Sequence, residues 1–388
     1  MRARRLLPLL LAAAASAGGC SHMAVSCPDV AKLVAQGVPA QPASPPAPVG
    51  ACPAPVDYPF TNVVFEGGGV KGIAYGGALE VLGKQGILDK VDRVAGTSAG
   101  AITAVLVALR YSPDEIKSLL YNLDFSKFED GRFGGLLRLL RRYGYFKGDY
   151  YLGLMQCLVA AKTGNAHSTF ADLDRLGMRK LKVFTTDLDR RDDRELSLEK
   201  TPDLEVALAA RMSGSFPLFF AAIRDPKGVK LDGHDVYVDG GVVRNYPIDA
   251  FDTKDGTNPA TLGFVLKNTD MAPEGKAVDD LVEYSDALIE SILQVQTDAL
   301  ATNRPDLERT AVIDDLGTST LDFKLSAERK NMLVAKGVQC TCDYLAAWQR
   351  CHPGGSCLAP LQPGQRLRIV GGLHCGMQTQ AASEIGPD

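Results

Sequence analysis

The chain has 388 residues, 46% of them hydrophobic and 23% charged, with a formal net charge of −4. That length supplies one large core plus extensions. No basic stripe dominates, which excludes nucleic acid as an expected partner.

Arg2, Arg4 and Arg5 precede an apolar run over residues 6–15, the order of an export signal. The run is too short to span a bilayer. Without those three arginines, 39 Lys and Arg face 46 Asp and Glu, a balance of −7. Two cleavage readings compete. Ala15-Ser16-Ala17 suits an ordinary signal peptidase and would release a secreted or periplasmic protein. Ala17-Gly18-Gly19-Cys20 resembles a bacterial lipobox and would leave Cys20 lipidated on the periplasmic side of a membrane. The second is favoured, because small residues lead straight into the cysteine. Eight prolines lie between Pro39 and Pro59, so residues 21–60 read as an extended tether that builds no core.

Residues 61–65 read as a strand and 73–85 as a helix, joined by Glu66-Gly67-Gly68-Gly69-Val70-Lys71-Gly72. Three consecutive glycines offer backbone N–H groups to an oxyanion. Gly67, Gly69 and Gly72 also satisfy the dinucleotide fingerprint GxGxxG. That reading requires an acidic residue at the end of the second strand. The second strand, 91–95, ends in Gly96-Thr97-Ser98, and Asp92 lies at its wrong end. The glycine turn contains no GK[ST], so a nucleotide is not expected. Lys71 has two readings: a solvated first-turn residue, or a charge reinforcing the positive end of a helix dipole behind the oxyanion. A carboxylate beside an oxyanion is unhelpful, so Glu66 is expected to point elsewhere.

Gly96-Thr97-Ser98-Ala99-Gly100 sits between the strand 91–95 and a helix over 98–109. Small residues two positions either side of a serine let strand and helix meet sharply and expose its hydroxyl, as in a nucleophile elbow. Helices follow over 113–121 and 150–161. Between them lies Phe133-Gly134-Gly135-Leu136-Leu137-Arg138-Leu139-Leu140-Arg141-Arg142-Tyr143. Leucines mixed with arginines at helical spacing suit a lipid surface. More often such a pattern is a surface helix with its leucines in the core, and that is the expectation here.

A strand over 180–186 and a helix over 204–213 lead to a third glycine-bearing segment. Val236-Tyr237-Val238-Asp239-Gly240-Gly241 is an alternating strand ending in Asp-Gly-Gly, which leaves the carboxylate accessible to a serine proton. The motifs GGGVKG, GTSAG and DGG, in that order, resemble the patatin-like phospholipases. So do Ala209-Ala210-Arg211-Met212-Ser213-Gly214-Ser215-Phe216-Pro217 and Val243-Arg244-Asn245-Tyr246-Pro247. The resemblance covers about residues 61–251. It implies a Ser98–Asp239 dyad, an oxyanion hole of Gly67, Gly68 and Gly69, and support from Lys71, Gly72, Gly96, Gly100, Gly240 and Gly241. No cofactor or metal is required. The implied function is a lipid acyl hydrolase of the phospholipase A or lysophospholipase type, acting on phospholipid or lysophospholipid at a membrane surface. Acyl transfer to another alcohol uses the same intermediate and stays an alternative. A silent anchored binding protein is the other, against which the intact Ser98 and Asp239 argue. The residues specify no protein activator.

The five histidines are His22, His167, His234, His352 and His374. His22 falls in the tether, His234 on a turn before the Asp239 strand, and His352 and His374 in a cysteine-rich tail. The dyad therefore works with aspartate alone, and a triad borrowing a tail histidine is the alternative. An ordinary aspartate, with a pKa of about 4, is a poor base for an alcohol. Burial would raise its basicity.

A strand over 261–266, long helices over 279–301 and 327–350 outside the core, and an edge strand over 366–370 complete the chain. Strands alternating with helices imply an α/β fold of three layers, α/β/α, around a mostly parallel sheet. The expected division is a leader over 1–20, a linker over 21–60, a catalytic core over 61–255, and an extension with a Cys-rich tail over 256–388. Of nine cysteines, Cys340, Cys342, Cys351, Cys357 and Cys375 cluster in that tail, and Cys27 and Cys52 flank the linker. Export favours disulfides over zinc there, with the pairing open. Cys157, in an apolar helical pattern, is expected to be a buried free thiol.

Overall fold

A computed structural model of the protein describes residues 25–39, 52–224, 235–268, 278–279, 281–300 and 303–351, with two backbone strands at 366–370 and 378–382. The leader with Cys20, His22, four of the eight prolines (Pro42, Pro45, Pro46 and Pro48), His234, His352, Cys357, His374 and Cys375 lie outside the described residues.

The first described helix, α1 (Cys27–Ala35), falls inside the segment expected to be a structureless tether. It buries Val30 and is joined to the body by a Cys27–Cys157 disulfide. Cys157 is therefore buried as expected but not free. Its apolar surroundings signal burial and leave a distant partner unannounced.

From there the chain alternates. Strand β1 (Asn62–Phe65) leads through the glycine turn into α2 (Ala74–Lys84), and β2 (Arg93–Thr97) into α3 (Ala99–Ala108). Helix α4 (Pro113–Asn122) carries a full capping box: Ser112 Oγ accepts the Glu115 amide and the Glu115 carboxylate accepts the Ser112 amide. Next come α5 (Gly135–Arg142), the short β3 (Gly144–Phe146), α6 (Asp149–Thr163) and α7 (Phe170–Arg175). Strands β4 (Lys180–Asp187) and β5 (Asp192–Ser197) form a hairpin before α8 (Val206–Ser213). Strands β6 (Leu218–Phe220), β7 (Ile223–Arg224), β8 (Val236–Asp239) and β9 (Thr261–Lys267) follow. Helices α9 (Leu281–Leu300) and α10 (Arg304–Glu308), strand β10 (Thr310–Asp314) and helix α11 (Ala327–Cys351) complete the body.

The central sheet has eight strands in the order β10-β9-β1-β2-β4-β8-β7, with β5 also on β4. The pairs from β10 through β4 are parallel; β5, β7 and β8 run antiparallel to their neighbours. Both faces are covered. Val63, Phe65 and Val94 join the large core of helices, while Val64, Ala95 and Phe184 pack with Ile248 and Phe251 opposite. Burial on both faces is why these strands read as continuous apolar runs.

Helix α11 is more than an outer layer. Its Gly337 lies against the Ala74 carbonyl and Gly77 of α2 against the Val334 carbonyl, so two side-chain-free positions let the backbones touch. A second disulfide, Cys52–Cys342, pins the start of the body to it, and Cys340 and Cys351 are disulfide-bonded as well. The predicted edge strand β11 (Arg366–Val370) pairs with β12 (Gln378–Ala382) as a separate antiparallel ribbon, not with the sheet. Among the described residues no helix is long and apolar enough to cross a membrane.

Candidate active site

The three glycine-bearing turns meet at the C-terminal ends of β1, β2 and β8, where α/β sheets present their ligands. Ser98 sits between β2 and α3 with φ 53° and ψ −120°, a conformation costly for any residue with a Cβ and characteristic of functional turns. The turn is as tight as the sequence suggests. A Cβ on Gly100 would run into the carbonyls of Phe65 and Glu66, so helix α3 starts directly against the end of β1.

Ser98 Oγ donates a 2.6 Å hydrogen bond to Asp239 Oδ2. Asp239 is 4% exposed and ends β8, where its other oxygen accepts the Gly241 amide at 2.8 Å. Its own amide donates to the Ser215 carbonyl at 2.9 Å. Burial pushes the Asp239 carboxyl up to about 6, against the Ser98 hydroxyl, the Gly241 amide and the charge of Arg211, which each pull it down. Burial thus moves this aspartate toward the basicity an alcohol demands. Among the described residues no histidine bonds to Ser98; His167 is exposed and paired with Glu205.

The glycine turn lies on the other side of the serine. A Cβ on Gly67 would stand 3.1 Å from that of Ser98 and overlap Asn245 Oδ1, so only glycine admits this approach. The Gly67 amide, however, donates to the Asn245 carbonyl at 3.1 Å. It is already used, which removes Gly67 from the expected trio of oxyanion donors. Among the described residues no acceptor takes the Gly68 or Gly69 amide. Gly72 faces Ala99, Gly96 backs onto Gly100, and Gly240 onto the Phe184 carbonyl.

Lys71 is neither solvated nor a free charge behind the turn. It is buried and bridges Glu290 of α9 at 2.9 Å and Asp315, just past β10, at 3.2 Å. Burial lowers its pKa, but the two carboxylates outweigh that and hold it above the usual lysine range. Glu66 does point away from the serine. It is buried, accepting from Asn245 Nδ2 (3.1 Å), the Leu266 amide (2.8 Å) and Thr297 Oγ1 (3.3 Å), and burial pushes it up to about 7.

Three residues not foreseen as part of the site complete its frame. Ser213 Oγ accepts the Ser98 amide at 2.8 Å and donates to the Phe184 carbonyl at 2.5 Å. Asn245 Nδ2 also holds the Gly67 carbonyl at 3.1 Å. Arg211 is fully buried and donates to the carbonyls of Lys147, Gly148 and Ala221 and to Ser215 Oγ; burial lowers it to about 10. All three lie in segments that carry the sequence resemblance, which is the signal that could have found them.

A cavity of about 1050 Å³ opens against Gly67 and Gly68, with Asn245, Leu266, Leu293 and Thr297 also in its wall; Ser98 is not part of that wall. A smaller one of about 220 Å³ touches Arg93 and Lys180, at the opposite ends of the strands, and holds none of the predicted residues. Asp187, Asp189 and Asp235 form the group of carboxylates within 4.8 Å of one another among the described residues. They lie at the far end of β8 from Asp239. Arg190 is 3.3 Å from Asp187, the Val236 amide donates to Asp189, and the Tyr237 hydroxyl donates to Asp235.

A part-buried elbow serine bonded to a buried aspartate, beside a glycine turn on a mostly parallel sheet, defines the class: an α/β fold with its glycine-bearing turns gathered at one edge of the sheet. The sequence profile of the Patatin-like phospholipase family matches residues 63–252. An uncharacterized protein, YqhO, of Bacillus subtilis is 34% identical over 310 residues, covering 74% of this chain and 99% of its own. A probable lipid hydrolase, 463L, of Invertebrate iridescent virus 6 is 25% identical over 49% of this chain and 62% of its own. Among solved structures, VipD from Legionella pneumophila superposes with a TM-score of 0.50 at 18% identity, over 74% of this chain and 67% of that one, a likeness of fold. The chain belongs to the patatin-like phospholipase family.

Proposed function

We propose that the protein is a lipid acyl hydrolase working through a Ser98–Asp239 dyad and an acyl-enzyme. The observation that carries this is the 2.6 Å bond from Ser98 Oγ to a buried aspartate whose basicity burial has raised. Ser98 Oγ attacks the ester carbonyl while its proton passes to Asp239 Oδ2. The negative charge that develops on the carbonyl oxygen is taken by the Gly68 and Gly69 amides, fixed dipoles that need no reorganisation. Collapse breaks the ester bond, and the proton on Asp239 goes to the departing alcohol. Water then attacks the acyl-serine, gives its proton to Asp239, and the carboxylic acid leaves as Ser98 recovers the proton.

Phospholipid or lysophospholipid is the proposed substrate class. The family membership supports it. Export, with Cys20 as the lipidated terminus, belongs to the same proposal; disulfides at Cys27–Cys157 and Cys52–Cys342 suit an oxidising compartment.

The experiment is to incubate the protein and its Ser98→Ala variant with mixed phospholipid vesicles and quantify released fatty acid. Release by the parent and none by the variant is expected, together with fluorophosphonate labelling of Ser98 alone. Release that survives Ser98→Ala refutes the dyad, and a labelled but silent parent refutes the phospholipid assignment.

A further inference from the structure

We propose that α5 and the loop before it form an anchor that seats on an anionic lipid surface. The sequence leads one to expect its leucines in the core, and the structure turns them outward. Phe133 is 94% exposed, Leu136 67%, Leu137 54%, Leu140 72% and Tyr143 50%, and within the helix only Gly135 is buried. Leu136, Leu137, Leu140 and Tyr143 follow the spacing of one helical face. Among the described residues nothing covers the three leucines.

The opposite face holds the helix in place. Gly135 packs flat on the Tyr145 ring, leaving no room for a Cβ. Arg138 donates to the Gly131, Phe133 and Tyr145 carbonyls. Arg224 lies 4.9 Å from the centre of the Tyr143 ring. A scaffold of polar contacts thus presents an apolar stripe to the outside, the reverse of an ordinary surface helix.

Charge decides what the stripe fits. Between Asp130 and Asp149 the charged residues are Arg132, Arg138, Arg141, Arg142 and Lys147, all basic, in a chain whose balance is acidic. Arg132 pairs with Glu129 and Arg138 serves the carbonyls, whereas Arg141 and Arg142 are exposed without a carboxylate partner among the described residues. Exposed leucines and aromatics bordered by arginine are the makings of an interfacial helix on anionic lipid. A symmetric second copy would set the same arginines against each other.

The anchor is linked to the frame of the dyad through one strand pair. Strand β3, next after α5, pairs with β6 in the register Gly144↔Leu218 and Phe146↔Phe220. Strand β6 begins just beyond Ser215, whose carbonyl holds the Asp239 amide. Docking α5 would therefore seat on the lipid an element that is one strand pair from the segment framing Asp239. A catalytic use of that link rests on the hydrolase reading; the docking itself does not.

The test uses the full chain carrying Ser98→Ala, so that vesicles are not consumed, and Cys20→Ser, so that lipidation contributes nothing. It is sedimented with phosphatidylcholine vesicles with and without phosphatidylglycerol. Binding only to the anionic vesicles is expected. Leu136→Asp with Leu140→Asp should weaken it on the order of a hundredfold, and Arg141→Gln with Arg142→Gln by roughly twenty-fivefold, about fivefold per charge. The melting temperature should not move, since all four side chains are exposed. Failure to bind, equal binding to neutral vesicles, or undiminished binding by both variants overturns the proposal. So does a dimer by light scattering that either variant dissolves, which would assign the stripe to a second copy. Hydrolysis of a soluble short-chain ester by the Ser98 protein should be untouched by the α5 substitutions. If no ester is cleaved while vesicle binding follows the pattern above, the hydrolase reading falls and the anchor stands.

Discussion

The sharpest consequence of the dyad is its pH profile. Asp239 must be ionised to take the serine proton, and burial has pushed its carboxyl up to about 6. With that midpoint, nearly all of the base is ready at pH 8 and about one-tenth at pH 5. kcat/KM for a soluble nitrophenyl ester should then fall about tenfold from pH 8 to pH 5, along a single ionisation. An aspartate at its ordinary value near 4 would leave the profile flat over that range.

Acid unfolding and a titrating histidine could each mimic such a fall, and both can be separated from it. Acid unfolding has the wrong sign for the groups concerned. Asp239, up from 3.8 to about 6, and Glu66, up from 4.5 to about 7, both hold more protons folded than unfolded. Their contribution to stability is therefore fully present below about pH 4 and is lost as pH rises through 6 and 7, at most about 3 kcal/mol each. Acid removes that penalty, so circular dichroism at pH 5 should show a folded protein. Histidine titrates near the same midpoint. His234→Ala, His352→Ala and His374→Ala should nevertheless keep the profile and most of the rate. Asp239→Asn should lower kcat/KM by about 10² to 10⁴, the span of a lost general base, and flatten what remains. A fall that survives Asp239→Asn, or one abolished in a folded histidine variant, refutes the reasoning.

Lys71→Met leaves the buried Asp315 and the half-buried Glu290 without their cation, a defect that costs at most about 3–5 kcal/mol. Thermal melting should show a drop of roughly 5 °C, largely restored when Glu290→Gln and Asp315→Asn are added; an unchanged melt would mean the pair is solvated. Removing the Cys27–Cys157 bridge by Cys27→Ala and Cys157→Ala releases a cross-link spanning 130 residues, for which chain entropy sets a ceiling of about 5 kcal/mol. The expected result is a lower urea midpoint with proteolytic cutting between α1 and β1, and resistance equal to the parent would show that α1 holds by packing alone.

The parts legible in the sequence are those where backbone geometry forces residue type locally. Gly96 and Gly100 announce the elbow because β2 and helix α3 cannot meet so sharply against β1 with larger side chains there. Asp239-Gly240-Gly241 and Gly67 are readable for the same reason, and strands buried on both faces betray the sheet by their apolar runs. What the sequence withheld depends on partners far along the chain. Lys71 looks like a first-turn cation until α9 and the end of β10 bring Glu290 and Asp315 to it. Gly67 looks like an oxyanion donor until Asn245, beyond the Asp-Gly-Gly turn, accepts its amide. Cys157 advertises burial but not its bond to Cys27. Helix α5 is the instructive case. Periodicity identifies an apolar face and is silent on what covers it, because a leucine stripe has the same spacing against a core as against a lipid. The contacts of Gly135 and Arg138 fasten the other face, and the leucines stand exposed among the described residues.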